Sequence, residues 1–220
     1  MRIASPPTRH SCFYGVDTPE RAKLLAAKHD VGGMTDFIHA DTLAFVSIDG
    51  LYKALGEEQR AAVGERWQAL DVLVLNAGML GTLAAVPAID PKEFAQVLTL
   101  NVSAQVAMIQ AFDAMLRKAP AAKVIGVTSS VGRNPRAYWG AYGASKAAFE
   151  TLIGAYGDET SEISGIRTAI LDPGATRTKM RARAYPGEAP ESVKPPEVVA
   201  ERIAALAIAG FPAGHRERVG

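Results

Sequence analysis

The run AKVIGVTSSVG (residues 122–132) decides the fold. A short apolar run that stops in a polar turn with a glycine reads as a buried strand. AYGASKAAFETLIGAYGDETSE (141–162) follows as a long helix, and GIRTAILDPG (165–174) as another strand. Upstream, DVLVLNAG (71–78) has the same strand-then-turn form. DPKEFAQVLTLNVSAQVAMIQAFDAMLRK (90–118) spaces its apolar residues every three or four positions, with Asp90-Pro91 as a helix start. PPEVVAERIAALAIAG (195–210) is a helix that ends at Gly210. LAFVSIDG (43–50) reads as a further strand, and residues 51–70 as the helix after it.

Alternation of strands and helices predicts an α/β fold, a doubly wound parallel sheet with helices on both faces, within one domain spanning 1–220. Ligands of such sheets bind beyond the carboxyl ends of the strands. That rule selects Asn76–Gly78, Thr128–Gly132 and Asp172–Thr178, all on one rim.

Bulk properties narrow the function. Charges nearly balance at +1, with no basic block or acidic tail, so nucleic acid is not an expected partner. The single cysteine, Cys12, excludes an internal disulfide, and the four histidines lack metal-ligand spacing, so no metal is expected. No apolar run reaches membrane-spanning length. Pro6-Pro7 interrupts any amphipathic targeting helix, and a cytoplasmic setting is the expectation.

Tyr142 and Lys146 stand four apart, on one face of the predicted helix. An ammonium near a phenol lowers its pKa from about 10, making a proton donor and acceptor for neutral pH. Gly143, Ala144 and Ser145 are small enough for a flat ligand to lie close. The motif is weak alone: with six tyrosines and nine lysines, one such pairing arises by chance roughly one time in four. A half-buried tyrosine with a solvated lysine gives the same spacing. The weight lies in the set. Ser129 ends a strand thirteen residues before Tyr142, with Gly132 three residues on, which favours it over Ser130. Asn101 sits inside a helix, where asparagine is a poor choice.

LNAG, Asn101 in LNVSA, TSSVG, YGASK and DPGATRT, in this order and spacing, resemble the short-chain dehydrogenase/reductase family of compact type. The resemblance covers about residues 70–210. It implies a Rossmann-like fold and hydride transfer between NAD or NADP and a small-molecule carbonyl or alcohol. Tyr142 would be the acid/base. Lys146 would lower its pKa and hold the nicotinamide ribose. Ser129 would hydrogen-bond the substrate oxygen, and Asn101 would anchor a water leading to Lys146. Asp49, Asn76, Ala77, Gly78, Pro173, Gly174, Thr176 and Thr178 would line the cofactor. The two long helices would pair chains into a homodimer or homotetramer.

The opening residues depart from the family. A glycine-rich turn should follow the first strand and bring backbone amides to the pyrophosphate. Residues 1–31 contain only Gly15, and no two glycines in the chain are separated by a single residue. The first strand-helix unit is therefore expected to be missing or replaced over residues 1–30. A non-catalytic relative, acting as a binding or assembly partner, is the alternative reading. The loop after Gly174 is rich in proline and charge, as a lid could be. Arg133, Arg136, Arg177, Lys179, Arg181 and Arg183 fall in the two rim loops. They suit either an anionic substrate or a solvated basic surface.

Overall fold

The computed structural model describes residues 69–220. The readings made for Asp49, for the strand at 43–50 and for residues 1–30 lie outside the described residues, as does most of the helix at 51–70.

Among the described residues, four strands form one parallel sheet in the order β1 (Val72–Leu75), β2 (Lys123–Val127), β3 (Arg167–Asp172), β4 (His215–Arg218). Successive side chains of a strand point to opposite faces, and each face has its own core. Leu73, Leu75, Val124 and Ile170 pack with Phe112, Leu116, Phe149 and Ile153. Val72, Val74, Ile125, Val127 and Leu171 pack on the other face with Ile203 and Leu206. Strands buried on both faces must be apolar throughout, which is why β1 and β2 read as continuous apolar runs. The α/β doubly wound architecture expected from the sequence is present.

On the first face, α1 (Pro91–Leu98) and α2 (Ala104–Leu116) are joined by one π-helical turn, Thr99–Ser103. The Asp90 carboxylate caps α1, accepting from the amides of Lys92 and Glu93 at 2.7 and 3.3 Å. Beside them lies α3 (Gly140–Ser161). The second face carries α5 (Pro196–Ala209), which stops at Gly210 with φ 78°. Two elements were not anticipated. The loop after Gly174 contains a short helix, α4 (Lys179–Ala184), and residues beyond 210 supply β4. No helix among the described residues is long and apolar enough to cross a membrane.

Candidate active site

Parallel strands deliver their carboxyl ends to one rim, and Asn76, Ser129 and Pro173 directly follow strands or their first loop residue. Tyr142 and Lys146 reach the same place from the first turns of α3, and both are buried. Ser129 is extended, with φ −156° and ψ 150°, and its side chain acts on the Tyr142 phenol, favouring the ionised form. The hydroxyl of Ser130 instead accepts from Arg136 at 3.1 Å.

Lys146 points inward. Its Nζ donates to the carbonyl of Val127 at 2.9 Å and lies 5.8 Å from the centre of the Tyr142 ring. Complete burial pushes the ammonium down to about 8, opposed by the charge of Glu150. The phenol moves the other way. Burial first, then the Asp172 carboxylate, raise Tyr142 to about 12, against a lowering by Ser129. The lowering of the phenol expected from its lysine is thus not the result: loss of water dominates, and the one opposing influence comes from Ser129. Asp172, the last residue of β3, has an electrostatic part that the sequence did not disclose.

Asn101 lies in the π-helical turn and is fully buried. That turn widens the helix by one residue and lets the amide face inward. Oδ1 accepts from the Met79 amide at 2.7 Å, and Nδ2 donates to the Met79 carbonyl and to Ser145 Oγ, both at 2.9 Å. Ser145 Oγ in turn donates to the Tyr142 carbonyl at 2.7 Å. Gln105 adds a bond to the carbonyl of Ala77 at 3.0 Å. Ser145 is therefore an internal tie, and Gly143 has the Val131 carbonyl 3.0 Å from where a Cβ would stand. The smallness of Gly143 thus admits protein backbone, while Ala144 is exposed.

The third rim segment is also tied down. The Gly174 amide donates to Asp172 Oδ1 at 2.9 Å, and Gly174 adopts φ 64°, a conformation open to glycine. Thr176 Oγ1 donates to the carbonyl of Pro173 at 3.0 Å. Thr178 caps α4, its oxygen accepting from the Arg181 amide at 3.1 Å. Helix α4 sets Met180 and Ala184 with Leu83 and Trp139 around the buried group Leu80, Val131 and Tyr142. The Trp139 ring stands 6.1 Å from that of Tyr142 and 5.8 Å from that of Tyr185. Arg181 is held by both carboxylate oxygens of Glu188, at 2.6 and 2.5 Å, and lies 3.7 Å over the Tyr185 ring. Its charge is matched within the chain, which removes it from the cations that could draw an anionic substrate. Tyr138 is an exposed loop residue with φ 71°.

A nicotinamide cofactor can be tested against this rim through Gly78. A Cβ there would come 3.3 Å from Asn101 Oδ1 and 3.4 Å from Lys146 Nζ. With no side chain at Gly78, the backbone after β1 lies against these two polar groups, the ones a ribose hydroxyl would have to meet. Asn76, Ala77, Pro173, Gly174 and Thr176 follow β1 and β3 on the same rim. The residues present fit the group.

Comparison with known proteins gives two kinds of likeness. Residues 18–189 match the family described as short chain dehydrogenase. The uncharacterized oxidoreductase YciK of Escherichia coli is 39% identical over 138 residues, which are 63% of this chain and 53% of that protein. The chain thus spans about half the length of this curated relative. A putative short chain dehydrogenase of Escherichia coli CFT073, solved in complex with NADPH, superposes with a TM-score of 0.77 at 28% identity. The match covers 92% of this chain and 82% of that one. Separately, 61 residues, 28% of the chain, are 49% identical to the chloroplastic amidophosphoribosyltransferase 2 of Arabidopsis thaliana, of which they cover 11%.

Proposed function

The chain belongs to the short-chain dehydrogenase family, and on that premise we propose that it is an NAD(P)-dependent oxidoreductase acting on a small carbonyl or alcohol, with Tyr142 as its acid and base. The observation that carries this reading is the meeting of Ser129, Tyr142 and Lys146 at the carboxyl ends of the strands, with Asn101 bonded to Ser145 on the helix that carries Tyr142 and Lys146. The NADPH held by the related structure supports the cofactor class. The 61-residue stretch is about a tenth of an amidophosphoribosyltransferase, too little to bring that reaction here.

The residues divide the work. The bound cofactor supplies or receives the hydride. Ser129 holds the substrate oxygen by its hydroxyl, beside the phenol that shares its proton with the same atom. Raised to about 12, Tyr142 is protonated at neutral pH. That is the form that donates to a carbonyl oxygen in the reductive direction. Lys146 stands behind the phenol, where its ammonium stabilises the phenolate left after donation. The apolar wall of Leu83, Trp139 and Met180 excludes water from this exchange.

The test is oxidation of NADPH or NADH by the purified chain over a panel of ketones and aldehydes, beside Tyr142→Phe. Turnover lost by about a hundredfold or more in the variant, with cofactor binding kept, is the expected result. Equal turnover in both proteins would remove Tyr142 from the reaction.

A further inference from the structure

Glu150 lies one turn beyond Lys146 on α3, facing the same side of the helix. It is 8% exposed, yet three donors from three other places converge on its carboxylate. Thr128, the residue before Ser129, donates its hydroxyl to Oε1 at 2.6 Å. Arg133, just past the turn Ser130–Gly132, donates to Oε2 at 3.2 Å. Arg216, on β4, donates to Oε2 at 2.7 Å. The turn is drawn so close to α3 that a Cβ on Gly132 would stand 3.1 Å from the Lys146 carbonyl carbon and 3.2 Å from Glu150 Oε1. Thr128 and Arg133 bracket Ser129, so this one carboxylate holds both flanks of the serine against the helix that carries Tyr142 and Lys146.

Resting on the oxidoreductase reading of the same site, we propose that Glu150 is a positioning residue, which clamps the Ser129 segment onto α3 and faces Lys146 with a fixed negative charge. Lys146 is buried, and among the described residues the groups about it are few. Tyr142 and Glu150 share its helix, Asn101 and the carbonyl of Val127 are neutral, and Arg133 and Arg216 reach it through Glu150. Glu150 is the group whose charge favours the ammonium against the loss of water. Through Arg216, the last strand of the chain takes part in this arrangement although it contributes nothing to the reacting atoms.

The experiment follows the Lys146 ammonium directly, by NMR of the full chain carrying 13Cε-lysine, with the signal assigned by Lys146→Met. This readout needs no turnover, so it stands or falls apart from the proposed activity. The parent midpoint is expected at about 8. Glu150→Gln keeps the shape and removes the charge, and should move the midpoint down by about one unit or more, a tenfold change in the ionisation constant. Arg216→Gln removes a cation from the other side of the carboxylate and should move it up. These opposite directions support the proposal. An unmoved midpoint in Glu150→Gln overturns it, and should that variant fail to fold, an unmoved or lowered midpoint in Arg216→Gln does so. Thr128→Val keeps the charge and loosens the clamp. It should lower kcat about fivefold or more with the midpoint in place, and an unchanged kcat overturns the clamping role.

Discussion

Nδ2 of Asn101 donates to Ser145 Oγ at 2.9 Å, across 44 residues of chain and inside a fully buried contact. This bond joins the π-helical turn between α1 and α2 to the first turns of α3, where Tyr142 and Lys146 sit. With the two bonds to Met79, it also fixes the loop after β1. One amide thus ties the loop after β1 to the helix that carries Tyr142 and Lys146.

Asn101→Ala removes both sides of this tie and strands the Met79 amide and carbonyl. Unfolding in urea should show a loss of about 3 kcal/mol, given roughly 1 kcal/mol for each lost hydrogen bond. Combined with Ser145→Ala, the losses should fall short of additivity by at least about 0.5 kcal/mol. Additive losses would place the two residues in separate networks.

Lys146→Met should stabilise the fold at neutral pH while abolishing turnover. The folded pKa of about 8 lies below the unfolded value of 10.5, so the unfolded chain binds more protons between them. Stability of the parent therefore rises as pH goes from about 8 to about 10.5 through this group. The shift corresponds to roughly 3 kcal/mol, less about 1 kcal/mol for the orphaned Val127 carbonyl in the variant. Urea midpoints across pH 7–10 check this: the advantage of the variant should shrink as pH rises.

Ser129→Ala should cut turnover by about a hundredfold, whereas Ser130→Ala, which loses only a bond to Arg136, should keep most of it. Ser129 also lowers the phenol's pKa, so its removal should shift the alkaline rise of alcohol oxidation to higher pH. Rate profiles over pH 7–11 separate the two serines.

Gly174→Ala adds a Cβ at φ 64°, 2.9 Å from the carbonyl of Val219. Left-handed strain of about 1–2 kcal/mol adds to a backbone clash that no rotamer relieves. Thermal unfolding should fall by several degrees, with the larger effect on KM for the cofactor, whose proposed border this loop forms.

Much of this architecture is legible in the sequence because burial on both faces writes itself as apolar runs: β1, β2 and β3 fall within DVLVLNAG, AKVIGVTSSVG and GIRTAILDPG, the stretches read as strands. Gly210 stops α5 where glycine should. β4 was not legible, since HRER is a charged stretch at the sheet edge. Its arginines and glutamate are there for partners such as Arg202, Asp172 and Glu150, which no local pattern announces. Asn101 was noticed as an oddity inside a helix, but the π-helical turn that explains it is a three-dimensional solution to burying an amide. The electrostatics of Tyr142 were misjudged because spacing discloses the neighbouring lysine and hides the desolvation and Asp172. The pairing of Arg181 is not legible because Glu188 is seven residues on, on a loop that brings it back to the guanidinium.

The central claim is that this rim holds a nicotinamide cofactor against Tyr142 and Lys146. Fluorescence titration of the purified chain with NADPH and with NADH, beside Lys146→Ala, tests it most directly. Saturable binding in the micromolar range to at least one of them, weakened about tenfold or more in the variant, is the predicted result. A folded chain that binds neither at millimolar concentration, or binds equally well without the lysine, would contradict it.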